Sequence, residues 1–294
     1  MQKPHIGFIG LGLMGRAMVS RLLDLGYPLT ILGNRDRSGL DEALGRGAKE
    51  AGTAKELAAS TDIVMLCMGT SAHVEARAYG PDGFIEGAKP DQIVIDFGTS
   101  LPASTRKIGA ALAANSAIYM DAPLGRTPSH AYDGKLNIMA AGSDAAYQRV
   151  HPVLTDLGEN VFHLGALGAG HTIKLINNFY GMSTAAAMSE AFAMADAAGI
   201  ERQKLYSVMA AGPLRSGMMD FIRNYAVDGQ MDLAFSIANA AKDVGYYREM
   251  ASALGAQSRM STGTHATLTE ARDNGAAEKM VPELLDYLSQ HLKD

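Results

Sequence analysis

The feature that most constrains the fold of this 294-residue chain is a glycine-rich segment near its start. The apolar run His5–Ile9 leads directly into Gly10-Leu11-Gly12-Leu13-Met14-Gly15, and a helical pattern, Met14–Leu25, follows at once. In this context the spacing Gly10-x-Gly12-x-x-Gly15 predicts a tight turn, a close approach of a ligand to the backbone, and a helix packed against the strand. Because the amide groups of the helix N-terminus attract phosphate, the segment predicts a dinucleotide-binding turn.

Short apolar runs recur along the first half of the chain, separated by segments with helical periodicity. Most are bounded by Gly, Pro, Asp or Asn, which is typical of buried parallel strands. The runs are His5–Ile9, Pro28–Leu32, Asp62–Met68, Gln92–Phe97, Ala117–Asp121, Leu136–Ala140 and Asn160–Leu164. Strands that alternate with helices predict an α/β fold, a Rossmann-type doubly wound parallel sheet covered on both faces.

The pattern changes after Leu164, where the glycine-rich stretch 165–170 predicts a flexible joint. A long alanine-rich helix is predicted from about His171 to Ala198, and only helical patterns follow it. We therefore expect a dinucleotide-binding domain at residues 1–165 and an all-α substrate and dimerisation domain at residues 166–294, joined by this long helix. Its apolar surface predicts a homodimer or homotetramer, because such a surface is costly to leave in water.

Composition excludes several classes of protein. Hydrophobic residues make up 47% of the chain, which is enough for a large core, and the net charge of −5 argues against a nucleic-acid binder. No apolar stretch reaches the roughly 18 residues expected of a membrane span. The single cysteine and the eight scattered histidines predict neither a disulfide nor a metal site. We expect a cytoplasmic protein without metal, nucleic-acid or membrane partners.

The residues after the second predicted strand indicate which dinucleotide binds. Sites specific for NAD usually place Asp or Glu there to accept the ribose hydroxyls, whereas this chain has Asn34 followed by Arg35, Asp36 and Arg37. An arginine can pair with a 2′-phosphate, so the sequence favours NADP(H) over NAD(H). In the alternative interpretation the arginines belong to a solvated loop, and Asp36 takes the place of the usual acid.

Four segments, in order along nearly the whole chain, resemble the β-hydroxyacid dehydrogenases, the family of 3-hydroxyisobutyrate dehydrogenase and tartronate semialdehyde reductase. Phe8–Gly15 is similar to the family's cofactor signature, and Asp121-Ala122-Pro123 to the opening of its substrate loop. The segment from Gly168 to Asn178 is similar to the catalytic segment. Lys242-Asp243 resembles a late pair that, in the family, lies beside the nicotinamide.

The resemblance implies that Lys174 is the catalytic acid and base and that Asn178 lies beside it. Positions 174 and 178 are one turn apart and share a helix face, so a lysine could exchange the proton while an amide holds the substrate hydroxyl. Asn177 is a further expected substrate contact. The expected cofactor contacts are Gly10, Leu11, Gly12, Leu13, Met14, Gly15, Asn34, Arg35, Cys67, Met68, Thr99 and Lys242.

The substrate loop departs from the family pattern. Where the family has Val-Ser-Gly-Gly after Asp-Ala-Pro, this chain has Leu124-Gly125-Arg126-Thr127. We expect Gly125, Arg126 and Thr127 to bind substrate, since a guanidinium is a planar fork of donors for carboxylate or sulfonate. The Gly-Arg-Thr variant resembles the 3-sulfolactaldehyde reductase branch of the family.

These observations together predict an NAD(P)-dependent oxidoreductase that interconverts a small anionic β-hydroxy acid and its semialdehyde by hydride transfer. A 3-sulfolactaldehyde reductase and an imine reductase on the same scaffold are alternatives. Imine reductases commonly carry another residue where this chain has Lys174. A cofactor-reading module without turnover is a third alternative, and the presence of Lys174, Asn178 and Lys242 argues against it.

Overall fold

The computed structural model describes residues 3–34 and 36–291. By its internal contacts the chain divides into two units, Met1–Lys174 and Leu175–Asp294. This division falls inside the long helix, whereas the boundary predicted after residue 165 lies before it and stays a prediction.

Among the residues that the structure describes, the strands all lie in the first unit. In chain order they are β1 (Ile6–Ile9), β2 (Leu29–Leu32), β3 (Lys49–Ala51), β4 (Ile63–Leu66), β5 (Ile93–Asp96), β6 (Ile118–Asp121), β7 (Leu124–Gly125), β8 (Leu136–Ala140) and β9 (Gly158–His163). Within the described residues, β1 to β6 form one parallel sheet in the order β3-β2-β1-β4-β5-β6. This strand order confirms the predicted doubly wound fold, in which the chain reverses direction across the sheet beside β1.

The helices of the first unit are α1 (Leu13–Asp24), α2 (Ser38–Gly45), α3 (Ala54–Ser60), α4 (Ser71–Tyr79), α5 (Phe84–Gly87), α6 (Pro102–Ala114), α7 (Pro128–Tyr132) and α8 (Asp144–Leu157). Helix α9 (Ala169–Ala197) starts in the first unit and continues into the second. The second unit adds α10 (Arg202–Ala210), α11 (Gly217–Asp228), α12 (Ile237–Ala253), α13 (Met260–Ala271), a wide turn (Arg272–Ala276), a 3₁₀ turn (Val281–Glu283) and α14 (Leu284–His291). The C-terminal part is therefore helical, as predicted.

Two features of the sheet differ from the sequence prediction. Strand β3 was not predicted, because it has only three residues and two of them, Lys49 and Glu50, are exposed at the sheet edge. The runs Leu136–Ala140 and Asn160–Leu164 were expected in the parallel sheet, and this was wrong. They form β8 and β9 of a separate small sheet, in which β8 pairs antiparallel with β7 and parallel with β9.

Each unit has its own apolar core. In the parallel sheet, successive residues of a strand face opposite sides, so Phe8 packs in the cluster that includes helix α1, and Ile9 in the cluster that includes helix α3. The second unit buries a separate cluster around Phe192 and Ile237. Among the described residues, no helix combines the length and the apolar character that crossing a membrane requires.

Candidate active site

The glycine turn lies at the carboxyl end of β1, beside the point where the chain reverses direction. Gly10 has φ +103°, a conformation that glycine adopts without strain. A Cβ on Gly15 would lie 1.9 Å from the carbonyl oxygen of Gly10, so only glycine lets α1 start this close to the turn. At exposed Gly12, by contrast, nothing in the protein lies within 4 Å of an added Cβ. The two flanking glycines serve packing, whereas the space beside Gly12 is open.

The N-terminus of helix α1 fits a phosphate group. Helix α1 starts at Gly12 without a side-chain cap, and its first turn has no acidic residue that would repel an anion. The first amide groups of a helix lack intrahelical partners and lie at the positive end of the helix dipole, so they form an anion site. The residues present therefore fit the pyrophosphate of a dinucleotide.

The end of β4 lies against the glycine turn, and the end of β5 lies against the end of β4. A Cβ on Gly10 would lie 2.3 Å from the carbonyl oxygen of Cys67, and one on Gly98 would lie 2.7 Å from that of Met68. The structure thus brings Gly10, Cys67, Met68 and Gly98, which precedes Thr99, together at the carboxyl ends of the parallel strands. Burial raises the pKa of the Cys67 thiol to about 12, so this side chain is an unreactive thiol at neutral pH.

The loop after β2 shows which charges are already paired. Asn34 is exposed two residues past the strand, and Arg35 lies outside the described residues. The guanidinium of Arg37 makes two hydrogen bonds to Glu50, at 2.9 and 3.1 Å. The carboxylate of Asp36 accepts a hydrogen bond from the amide of Ser38 at the start of α2, which lowers the pKa of Asp36. Asp36 and Arg37, on which the alternative interpretation depends, are therefore both engaged within the protein.

The Gly125–Thr127 segment belongs to the small sheet. Gly125 pairs with Asn137 of β8, and Arg126 follows with φ +76°, which is uncommon for a residue other than glycine. The Nη1 of Arg126 donates to the carbonyl oxygen of Lys135 at 2.7 Å and pairs with Glu159 at 2.5 Å. The hydroxyl of Thr127 hydrogen bonds to Ser129 and His130 rather than to the guanidinium.

Lys174 is the last residue of the first unit and lies in the second turn of helix α9, partly buried. This helix starts at the carboxyl end of β6, where a Cβ on Gly170 would lie 2.9 Å from the carboxylate of Asp121. The first unit therefore places the helix that carries Lys174 at the same edge of the sheet as the glycine turn.

In the second unit, a buried carboxylate connects two of the expected site residues. Asp243 accepts a hydrogen bond from the side-chain amide of Asn178 at 2.7 Å, and its other oxygen lies 3.0 Å from the ammonium of Lys242. Both Asp243 and Asn178 are buried, whereas Asn177 is exposed. The structure brings Asn178 and Lys242 together through Asp243.

Sequence reasoning missed the partners of several site residues. Asp243 was noted only as the second member of the Lys-Asp pair, and Glu159 was not noted at all. Asp243 lies at helical spacing from Ala240 and next to Val244, and an acid on this apolar face is a signal that could have marked it. Nothing in the sequence connects Glu159 to Arg126. In the part of the chain that the structure describes, no three His, Cys, Asp or Glu side chains are grouped to hold a metal ion.

The fold and the glycine turn define a dinucleotide-binding protein with a helical second unit. The family model for the NAD-binding domain of 6-phosphogluconate dehydrogenase matches residues 5–165. The model described as the NAD-binding part of NADP-dependent 3-hydroxyisobutyrate dehydrogenase matches residues 168–288.

Individual relatives agree with these matches. The chain is 28% identical to 3-sulfolactaldehyde reductase from Escherichia coli, over 96% of this chain and 95% of the relative. The structure of 3-hydroxyisobutyrate dehydrogenase from Mycobacterium tuberculosis superposes with a TM-score of 0.88 over 97% and 99% of the two chains, at 24% identity. A structure of Psf3 with NADP⁺ and 2-OPP gives a TM-score of 0.84 over 96% and 99%, at 26% identity.

The chain belongs to the β-hydroxyacid dehydrogenase family, the family of 3-hydroxyisobutyrate dehydrogenase. It is an NAD(P)-binding oxidoreductase of the type that acts on CH–OH groups. The family resemblance, the fold class and the enzyme class drawn from the sequence are thereby confirmed.

Substitutions at two glycines should separate packing from ligand binding. Gly12→Ala should leave the midpoint of thermal unfolding nearly unchanged, because its Cβ meets no protein atom, yet weaken NADPH binding at least about tenfold by obstructing the phosphates. Gly15→Ala should lower the unfolding midpoint, because its Cβ would clash with the Gly10 carbonyl. Fluorescence titration and thermal melts measure both; tight NADPH binding by Gly12→Ala would contradict the assignment of Gly12 to the pyrophosphate.

Proposed function

We propose that this enzyme uses NADPH to reduce a small anionic aldehyde to a β-hydroxy acid or its sulfonate analogue, and catalyses the reverse oxidation with NADP⁺. The observation that carries the proposal is the position of Lys174, in a helix that starts at the carboxyl end of the sheet where the glycine turn lies. The nicotinamide supplies or accepts the hydride. The protein's residues supply orientation and the proton.

Lys174 is the proposed catalytic acid and base. An ammonium can donate its proton to a carbonyl oxygen as negative charge develops there during hydride arrival, and the neutral amine can take the proton back from the alcohol.

Asn178 and Lys242 are proposed to assist from the second unit. The oxygen of Asp243 fixes the amide of Asn178, so the remaining amide atoms have a set direction for a substrate hydroxyl. Lys242 is proposed to contact the cofactor, and Asn177, Gly125 and Thr127 are proposed substrate contacts. The remaining proposed cofactor contacts are Gly10, Leu11, Gly12, Leu13, Met14, Gly15, Asn34, Arg35, Cys67, Met68 and Thr99.

Arg126 is the proposed reader of the substrate's anionic group. Its Nη1 is held by Lys135 and Glu159, and this leaves Nε and Nη2 as donors that can form a fork on carboxylate or sulfonate. The similarity to 3-sulfolactaldehyde reductase over 96% of the chain supports a sulfonate as the second candidate anion. The carboxylate substrate of a 3-hydroxyisobutyrate dehydrogenase is the first.

NADPH is the proposed cofactor, with Arg35 as the partner of the 2′-phosphate. Asn34 brings no negative charge to repel that phosphate, and Asp36 is engaged by the amide of Ser38. We also propose a homodimer or homotetramer, because helix α9 exposes the apolar side chains of Ile176, Tyr180 and Met194. The predicted cytoplasmic location stays a prediction.

A matrix of steady-state rates tests the proposed reaction. NADPH and NADH are each paired with methylmalonate, tartronate and succinate semialdehydes and with sulfolactaldehyde. We expect NADPH with one of these anionic aldehydes to give the highest kcat/KM. Absence of turnover with all four aldehydes would contradict the proposed substrate class.

Replacement of the proposed acid should separate binding from chemistry. We expect Lys174→Ala to bind NADPH nearly as tightly as the unmodified enzyme, while kcat falls by roughly 10²–10⁴-fold because the developing alkoxide has no proton donor. The matched control is Lys89→Ala, which removes an exposed lysine of the same unit and should leave kcat unchanged. Turnover by Lys174→Ala within a few-fold of normal would show that another group transfers the proton.

Replacement of Arg126 should discriminate between charged and neutral substrates. We expect Arg126→Gly to raise KM for sulfolactaldehyde and methylmalonate semialdehyde by about 10–100-fold, because it removes charge-assisted hydrogen bonds, and to leave KM for propanal nearly unchanged. Glycine is the suitable replacement because φ at this position is +76°. Equal changes for all three aldehydes would refute the role in anion binding.

Cofactor selectivity should depend on one of the two neighbouring arginines. We expect Arg35→Ala to weaken NADPH binding by about 10–100-fold through loss of the phosphate pair, with little change for NADH. Arg37→Ala is the matched control, because the Arg37 guanidinium is already paired with Glu50 and Asp41. If both variants change the NADPH to NADH affinity ratio equally, the assignment to Arg35 is wrong.

A further inference from the structure

The first turn of helix α9 is held by a carboxylate from the sheet. Asp121, the last residue of β6, is fully buried. Its Oδ1 accepts a hydrogen bond from the amide of Gly168 and its Oδ2 one from the amide of His171, both at 2.7 Å. These are amides that a helix N-terminus leaves without intrahelical partners, so Asp121 caps α9 from a strand 47 residues earlier in the chain.

His171 attaches the same turn to a second element. Its Nδ1 lies 2.7 Å from the hydroxyl oxygen of Thr105 in helix α6. The Thr105 hydroxyl donates its own proton to the carbonyl oxygen of Leu101, at 3.1 Å, so it accepts the proton of Nδ1. The imidazole is therefore a donor toward Thr105, and its ring orientation is fixed.

Glycine at position 170 allows this close attachment. A Cβ there would lie 2.2 Å from the carbonyl oxygen of Met139 and 3.2 Å from the ring of Pro123, besides its approach to Asp121. Any side chain would push the start of the helix away from β6 and β8. The glycine in the sequence therefore allows the first turn of α9 to pack directly against the sheet.

The arrangement is costly in electrostatic terms. Asp96 of β5 pairs in register with Asp121, and both carboxylates are fully buried. The imidazole of His171 lies between them, 3.7 Å from Asp96 and 3.8 Å from Asp121. Burial raises the pKa of Asp121, while the imidazole and the two amides oppose that shift. Apolar residues of similar size would fill this space without the desolvation cost, so stability alone does not account for it.

We infer that Asp121, His171 and Thr105 form a buried anchor that positions the amine of Lys174 for proton transfer. The inference rests on the proposed role of Lys174. Lys174 follows His171 by three residues in one rigid helix, so fixing residues 168–171 fixes the direction in which the Lys174 side chain leaves the helix. A displacement of about 1 Å in a reacting group is enough to cost about 10²-fold in rate.

Thr105 offers a mild test because it lies outside the proposed site. Thr105→Val keeps the shape of the side chain and removes the acceptor of the His171 proton, whereas Thr105→Ser keeps the hydroxyl. With NADPH and the fastest semialdehyde of the panel, we expect Thr105→Val to lower kcat about 10-fold or more, with the NADPH dissociation constant within twofold of normal. The solvent deuterium isotope effect on kcat should rise, because proton transfer becomes slower. Thr105→Ser should restore both values.

Asp121→Asn is the second variant. Asparagine replaces one of the two carboxylate oxygens with an NH₂ group, which cannot accept the hydrogen bond from the backbone amide that faces it. We expect the same loss of kcat and the same larger isotope effect in the fraction of protein that binds NADPH. Unchanged kcat and isotope effect in both variants, with Lys174→Ala inactive, would overturn the anchor. The anchor would also be overturned if kcat fell only in proportion to the fraction of protein that binds NADPH, and if Thr105→Ser showed the same losses. Normal turnover by Lys174→Ala would instead refute the proposed acid.

Discussion

Parallel pairing of short, largely buried strands is the constraint on which the rest of this structure depends. Strands β1, β4, β5 and β6 are each four residues long and lie side by side in register. Because parallel strands are joined by crossovers, their carboxyl ends all lie along the same side of the sheet. Gly10, Cys67 and Gly98 therefore meet there, and the hydrogen bonds that Asp121 accepts hold the start of α9 at the same place.

This constraint also explains what could be predicted from the sequence. The apolar runs and the glycine spacing depend on neighbours in the chain, so they predicted β1, its turn and α1 correctly. The choice of partner strand does not depend on such neighbours. Periodicity could not show that Leu136–Ala140 leaves the parallel sheet for β7 and β9, nor that three partly exposed residues at Lys49–Ala51 complete its edge.

The site residues divide in the same way: a local motif locates a residue, whereas its partners depend on how distant strands pair. The motif located Arg126, but its pairing with Glu159 joins positions 33 residues apart and depends on the register of the small sheet. That pairing changes the chemistry expected of the side chain: one guanidinium nitrogen is held by the protein, which restricts the directions that the other nitrogens can take. An arginine held in this way loses less conformational entropy on binding an anion than a free one would.

Two buried carboxylates act on the same helix, one in each unit. Asp121 caps the start of α9 in the first unit, and Asp243 holds the amide of Asn178 and pairs with Lys242 in the second. A carboxylate is expensive to bury, yet it is the one common side chain that offers two acceptor oxygens at a fixed separation. Each Asp uses both oxygens on different partners, and so fixes two groups relative to each other. The helix that carries Lys174 and Asn178 is thus held by geometry that an apolar contact, which lacks direction, could not provide.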